Sequence, residues 1–177
     1  MKKFIACLLF FLLIETAFAG QRLADIQSGF PCDEIAQFEK NQGSVELAAL
    51  DANGISKYRG KQGGREATVV YHCEQGRLTE QEIILTYAIR SKAYQVANEQ
   101  SIELAKALGK PIHDGLNLKT WRRILSGILG ADLDYLTSVV VWGKAKEDAM
   151  LLVRETADKR WEVIISQGSS KHEFILN

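Results

Sequence analysis

The chain has 177 residues, with 22 basic and 22 acidic side chains and a formal net charge of zero at pH 7. Because charges of both signs are interspersed and balance, the sequence lacks the basic stripe that nucleic acids or anionic lipids would need, and we expect neither as a partner. An apolar content of 46% with only two prolines excludes an intrinsically disordered chain.

Residues 1–19 have the pattern of a cleavable secretory signal peptide. Two lysines at 2–3 precede an apolar run over 4–14, and residues 17–19 supply the small-x-small pattern before Gly20. Glu15 ends the apolar run well short of the roughly 20 residues that a membrane span requires. We therefore expect a mature domain over 20–177, a periplasmic or secreted location, and no stable membrane span after cleavage.

Two cysteines, Cys32 and Cys73, remain once the signal peptide is removed. In an oxidising compartment such a pair predicts one disulfide. The closed loop of roughly 42 residues would contribute about 4 kcal/mol in the chain-entropy account. A redox-active or metal-binding pair is the alternative, but neither cysteine belongs to a Cys-x-x-Cys motif. We expect no cofactor.

The first half of the mature chain is predicted to form a short helix followed by strands. The helix covers 33–40 and is closed by Gly43. Turns are expected at 51–54 and 74–77, where small and polar residues cluster. The β-branched and aromatic runs between these breakers predict strands. Those strands are 45–50, 55–58, 67–73 and 82–89.

The second half begins with the clearest helix, over 91–108, which Gly109 and Pro111 terminate. A second amphipathic helix is predicted over 118–129, and we expect the apolar stripe that contains Trp121 to pack on the sheet. The remaining apolar runs are predicted to be strands, in which Trp142 and Trp161 belong to the core. These strands are 138–142, 149–154, 161–166 and a short one at 173–176.

The two halves repeat one pattern. The strand segments at 68–73 and 83–86 resemble those at 138–143 and 150–153, and each pair follows a helix that ends at a glycine. This predicts two duplicated helix-plus-hairpin units, with halves 20–90 and 91–177. The expected fold class is α+β, with an antiparallel sheet and helices packed on one face.

A helix, a glycine and antiparallel strands, found twice behind a signal peptide, resemble two groups of exported bacterial proteins at fold level. One is the secreted β-lactamase inhibitor proteins, built from two tandem α/β units, and the other is the small lipoprotein of the outer-membrane barrel assembly machinery. The segments that carry the likeness are A-L-G-K-P at 107–111, V-V-V-W at 139–142 and W-E-V-I-I at 161–165. Gly20 stands where the lipoprotein carries its lipid-bearing cysteine. The resemblance implies a scaffold that binds other proteins, without an activity.

Catalytic and metal-binding motifs are weak in this sequence. The three histidines, His72, His113 and His172, lack metal-ligand spacing, so no metal site is predicted. His113 and Asp114 could form an acid/base couple in a glycine-flanked loop, but no nucleophile elbow accompanies them. A solvated loop histidine is the preferred interpretation, and an envelope hydrolase remains an alternative.

Two further motifs favour a structural interpretation. Asp132 and Asp134 lack the other ligands of a calcium loop, and a helix-terminating turn accounts for them better. The glycines of R-G-K-Q-G-G-R at 59–65 have no following helix that could hold a phosphate, which favours a hairpin tip.

The 110–137 segment is long for a connection between a helix and a strand, and long connections are often functional. Its Trp121, Arg122 and Arg123 are of the types that dominate protein interfaces, and with His113 they are the candidate binding residues. The alternative is a helix packed on the sheet with two solvated arginines. We therefore predict an exported, non-enzymatic interaction module whose partner is another envelope or secreted protein. A small-ligand carrier, which would need an apolar cavity between helices and sheet, and the hydrolase remain alternatives.

Overall fold

A computed structural model describes residues 26–130, 132–143 and 148–168, although nothing is described of the side chains of Arg123 and Ser126. The predicted signal peptide, His172 and the predicted strand at 173–176 therefore lie outside the described residues. Within these ranges the chain forms four α-helices and eight strands of one antiparallel sheet, which confirms the predicted α+β class.

The helices are numbered along the chain, and a 3₁₀ turn at Cys32–Glu34 leads into the first. They are α1 (Ile35–Asn41), α2 (Arg90–Leu108), α3 (Thr120–Ile128) and α4 (Leu133–Ser138). The strands are β1 (Val45–Ala48), β2 (Ile55–Gln62), β3 (Arg65–Glu74), β4 (Arg77–Tyr87), β5 (His113–Asp114), β6 (Val139–Trp142), β7 (Asp148–Glu155) and β8 (Trp161–Gly168).

The strand order in the sheet is β1-β2-β3-β4-β8-β7-β6-β5. A helix precedes each of two sets of four strands, β1–β4 and β5–β8, although α3 and α4 separate β5 from β6 in the second set. The last strands of the two sets, β4 and β8, pair in the middle of the sheet. Each unit has more strands than the predicted helix plus hairpin. The first strand of each set, β1 or β5, forms an edge.

The main core lies between the sheet and helices α1 and α2. Alternate residues of the central strands point to this face, as in the paired Ile83 and Ile165 of β4 and β8, which are both fully buried. From α2, Ala93 and Ala97 are buried one turn apart, and their small side chains allow the helix to lie close to the strands. Burial of each large aliphatic side chain contributes about 1.5–3 kcal/mol.

The opposite face of the sheet is covered at one end by α4. Tyr135 packs there against a second, small cluster of Val139, Val141 and Met150. This explains why β6 is buried along its whole length: its alternate residues belong to the main core on one face of the sheet and to this small cluster on the other. The predicted one-sided packing thus describes α1 and α2, and α4 adds a contact on the second face.

The predicted disulfide between Cys32 and Cys73 is present, with their Cα atoms 6.4 Å apart. It joins the turn before α1 to the end of β3. The Tyr71 hydroxyl donates a hydrogen bond of 2.5 Å to the carboxylate of the buried Glu39, which fixes α1 on the same strand. A disulfide of this kind is typical of proteins from oxidising compartments.

The predicted turns are also observed. Gln75 and Gly76 join β3 to β4 with φ angles of 53° and 75°, the left-handed conformation that two-residue hairpins of the I′ type require. Gly63 and Gly64 form the corresponding tip between β2 and β3. The strand predicted at 82–89 instead covers 77–87, since it begins directly after the first of these turns.

Candidate protein-binding surface

The segment between α2 and β6 leaves the sheet and returns to it, and we call residues 110–138 the excursion. Hydrogen bonds hold the base of the excursion: the Ile112 amide donates to the Val141 carbonyl at 2.9 Å, and the Gly115 amide donates to the Val139 carbonyl at 2.8 Å. Both ends of the excursion are therefore anchored, although β5 itself has only two residues.

A tight turn directs the chain away from the sheet after β5. The Asp114 carboxylate accepts hydrogen bonds from the backbone and side-chain amides of Asn117, at 3.1 and 3.0 Å. A Cβ atom on Gly115 would lie 2.0 Å from the carbonyl oxygen of Leu136, so only glycine fits at this crossing of β5 and α4. This geometry places α3 beyond the turn.

Helix α3 has the predicted position, but the prediction that its apolar stripe packs on the sheet is wrong. Trp121, Ile124, Leu125 and Ile128 are 57%, 61%, 48% and 76% exposed. The physical reason is that the side chains of β6 at this end of the sheet are already buried, in the main core on one face and against Tyr135 of α4 on the other. Amphipathic periodicity showed that one side of α3 is apolar, but not what that side would contact.

The four exposed apolar residues lie on one side of α3, because their spacing is i, i+3, i+4 and i+7. The guanidinium of Arg122 lies 5.3 Å from the centre of the Trp121 ring, a cation–π contact at the surface. Leu129, just beyond the helix, is also exposed and extends the apolar surface. We call Trp121, Ile124, Leu125, Ile128 and Leu129 the α3 apolar surface.

A basic groove adjoins the start of α3. Its volume is about 700 Å³, and it is lined by Lys110, Pro111, Ile112, Asp114, Asn117, Leu118, Lys119 and Arg122. Three of these side chains are cationic, those of Lys110, Lys119 and Arg122, and one is anionic, that of Asp114. The groove therefore presents positive charge beside the α3 apolar surface.

His113 is not a solvated loop histidine, contrary to the preferred interpretation. It lies half-buried in β5, opposite Val141, and its Nε2 is 3.0 Å from the carbonyl oxygen of Leu136. A carbonyl can only accept, so Nε2 carries the proton and donates it to this bond. Asp114 is paired with Val140 and so points to the other face of the sheet. The two side chains do not form an acid/base couple.

Asp132 begins a helix and does not end one. Its carboxylate accepts a hydrogen bond of 3.1 Å from the amide of Tyr135, the usual contact of an N-cap residue. Sequence reasoning missed α4 because its six residues are too few for a helical period to be visible.

The structure brings two of the predicted binding residues together, since Trp121 and Arg122 lie side by side on α3. His113 lies at the base of the excursion. The side chain of Arg123 is not among those that the structure describes.

Among the described residues, the structure contains no helix whose length and apolar content would allow it to cross a bilayer. Comparison of the chain with family models, curated proteins and solved structures gave no match.

Proposed function

We propose that this protein is an exported, non-enzymatic interaction module that binds another envelope or secreted protein by inserting α3 into a groove of that partner. One observation carries the proposal: Trp121, Ile124, Leu125 and Ile128 are about half or more exposed at the spacing of a helix that docks in a groove. A contiguous apolar surface of this kind marks interaction sites, whereas single exposed apolar residues do not.

The residue types of α3 favour a protein partner. Trp and Arg are enriched among the residues that contribute most to interface affinity, and in α3 they are adjacent as Trp121 and Arg122. The positive groove of Lys110, Lys119 and Arg122 favours a partner whose apolar groove has an acidic rim. Such rim charges would mainly raise the association rate, and this contribution would weaken as salt is added.

Two features support the proposed location of the protein in the envelope or the medium. The Cys32–Cys73 disulfide favours an oxidising environment, and the signal-peptide pattern of residues 1–19 specifies export to the periplasm or the medium. The resemblance to secreted β-lactamase inhibitor proteins and to the barrel-assembly lipoprotein also implies a protein-binding scaffold.

The two alternatives have less support. Buried side chains, among them Val96 and Leu104 of α2, pack between this helix and the sheet, which disfavours a ligand carrier there. A hydrolase centred on His113 is disfavoured because that histidine donates to the Leu136 carbonyl and its neighbour Asp114 faces away.

The proposal is tested by purification of the protein, expressed in full with a C-terminal tag, from its own envelope or medium. A co-purifying protein is then produced separately and its affinity is measured directly. We expect the double variant W121A/I128A to bind at least about tenfold more weakly, since truncation of a central interface anchor costs about 2 kcal/mol or more. Its thermal stability should be unchanged, because both side chains are exposed.

The matched control is I102A, which removes an apolar side chain of similar exposure, 59%, from α2. The proposal requires I102A to bind like the wild type. Binding of the partner by W121A/I128A with the affinity of the wild type would overturn the proposal. So would binding of wild-type protein to vesicles of anionic phospholipid with no protein partner, or a dimer that W121A/I128A dissociates, since α3 would then dock on lipid or on a second copy.

A further inference from the structure

One histidine and two glutamates gather on the face of the sheet opposite α1 and α2. In the β3–β4 pair, His72 lies directly opposite Glu80, and Glu82 follows two residues later on the same strand. Because side chains two residues apart share a face, both carboxylates point to the side of the imidazole. All three side chains are half-buried.

A β-bulge creates this arrangement. His72 pairs with Glu80 but the next residue, Cys73, pairs with Leu78, so Thr79 is an extra residue in β4. Leu78 and Gln81 are both buried, although strict alternation would place residues three apart on opposite faces. The bulge therefore reverses the alternation and brings Glu80 beside His72. The Thr79 hydroxyl donates to the His72 carbonyl at 3.0 Å and holds the bulge.

The distances suit a metal ion. One ligand atom from each of His72, Glu80 and Glu82 can be chosen so that all lie within 4.8 Å of one another, and His72 Nε2 is 3.7 Å from Glu82 Oε1. Tetrahedral ligands with bonds of about 2.0–2.1 Å stand about 3.3–3.5 Å apart. A small rotation of the glutamate side chains closes the remaining difference.

The adjoining strand approaches β4 closely at this place. Across β4 from Glu80 and Glu82, strand β8 has Gly168 and Ser166, two of the smallest residues. A Cβ atom on Gly168 would lie 2.7 Å from the Cα of Glu80 and 2.2 Å from the carbonyl oxygen of Thr79. A larger residue at 168 would push β4 away and displace Glu80 from the other two side chains.

We propose that His72, Glu80 and Glu82 form a three-ligand site for a divalent transition-metal ion, and that Zn²⁺ fits it best. Two carboxylates and a neutral imidazole together carry two negative charges, which a divalent cation neutralises. The imidazole nitrogen favours zinc and its neighbours in the periodic table over magnesium and calcium, which prefer all-oxygen sites. A fourth ligand position stays available for water or another donor.

The test uses tag-free protein and zinc sulfate alone, with titration calorimetry and thermal melting as readouts. We expect one Zn²⁺ per chain, a rise in melting temperature on zinc addition, and no rise with magnesium. The variants H72Q and E80Q/E82Q should lose more than the roughly 10–100-fold in affinity that loss of an outer-shell partner costs, since they remove direct ligands.

The control E66Q/E103Q removes two negative charges, as E80Q/E82Q does, but at exposed positions. Glu66 lies on the same face of the sheet as His72, and Glu103 lies on α2. This control should bind zinc like the wild type. Wild-type protein that binds no zinc at 1 mM would overturn the proposal. Equal zinc affinity in E80Q/E82Q and E66Q/E103Q would also overturn it. Should a variant fail to fold, the visible spectrum of the Co²⁺-substituted wild type decides, because a site with one nitrogen and two carboxylates gives tetrahedral bands that nonspecific binding does not.

Discussion

Trp142 Nε1 donates a hydrogen bond of 3.0 Å to the carbonyl oxygen of Gly109. The two residues flank the excursion, so this bond closes its base and ties β6 to the end of α2. Trp142 is also 2% exposed, and its ring is part of the main core. One side chain thus connects the folded core with the segment that presents α3.

Replacement of Trp142 should loosen the excursion before it unfolds the sheet. We expect W142F to lower the free energy of unfolding by about 2 kcal/mol, from the lost hydrogen bond and the smaller ring. Amide exchange in 110–138 should quicken more than in β3 and β4. Urea denaturation and exchange mass spectrometry measure these effects. W161F is the control, and equal exchange in both variants would contradict this role.

Loss of the disulfide should destabilise the protein without changing its fold. We expect C32S/C73S to lower the free energy of unfolding by about 2–4 kcal/mol, because the unfolded chain regains the entropy of the open loop. Calorimetry under non-reducing conditions measures the change. Dithiothreitol should lower the melting temperature of the wild type to about that of C32S/C73S and leave the melting temperature of the variant unchanged. A variant as sensitive to dithiothreitol as the wild type would contradict the assignment of the disulfide.

The buried pair of Glu39 and Tyr71 should show strong energetic coupling. Glu39 has no exposed surface and accepts a hydrogen bond from the Tyr71 hydroxyl. Removal of one partner of such a bond leaves the other buried without it, which costs about 1–3 kcal/mol. We expect E39Q and Y71F each to destabilise, with a coupling energy of about 1–2 kcal/mol in a double-mutant cycle. E34Q, on the exposed side of the same segment, should change stability by less than about 0.5 kcal/mol. Additive effects of E39Q and Y71F would exclude the coupling.

The stability should fall at high pH because of buried phenols. Burial raises the pKa of Tyr135 above its usual value, and burial likewise raises the pKa of Tyr58. The neutral form is therefore favoured in the folded state, so its contribution is present below the unfolded pKa of about 10 and is lost as pH rises through the folded pKa. Plotted against pH from 8 to 11, the curve of the unfolding free energy should fall more steeply for the wild type than for Y135F, which lacks the titrating phenol. Parallel curves would refute the contribution of Tyr135.

Regular elements with long apolar patterns were predictable from the sequence. Helix α2 was predicted to within one residue at its start and correctly at its end. Its buried side chains recur with the period of a helix, and Gly109 marks where it ends. Strands β3, β7 and β8 were located from their β-branched runs. In contrast, β5 has two residues and α4 six, and such short elements form only because their neighbours in the fold stabilise them.

The candidate sites were harder to foresee, for two different physical reasons. The sequence located α3 and its Trp121 but could not show that the sheet nearby was already covered, since periodicity reports polarity and not contacts. The cluster of His72, Glu80 and Glu82 depends on a hairpin register and on one extra residue, Thr79. Glu80 and Glu82 follow His72 by eight and ten residues, and this spacing does not indicate a shared site until the register of the hairpin is known.

The strand order has a consequence for how the chain can fold during synthesis. β4 is bordered by β3, made just before it, and by β8, the last of the described strands along the chain. A ribosome releases the chain from its N terminus, so one edge of β4 has no partner until residues 161–168 emerge. The backbone amides and carbonyls along that edge could meanwhile pair with strands of other chains. Truncation before β8 should therefore yield an aggregating product rather than a smaller stable domain.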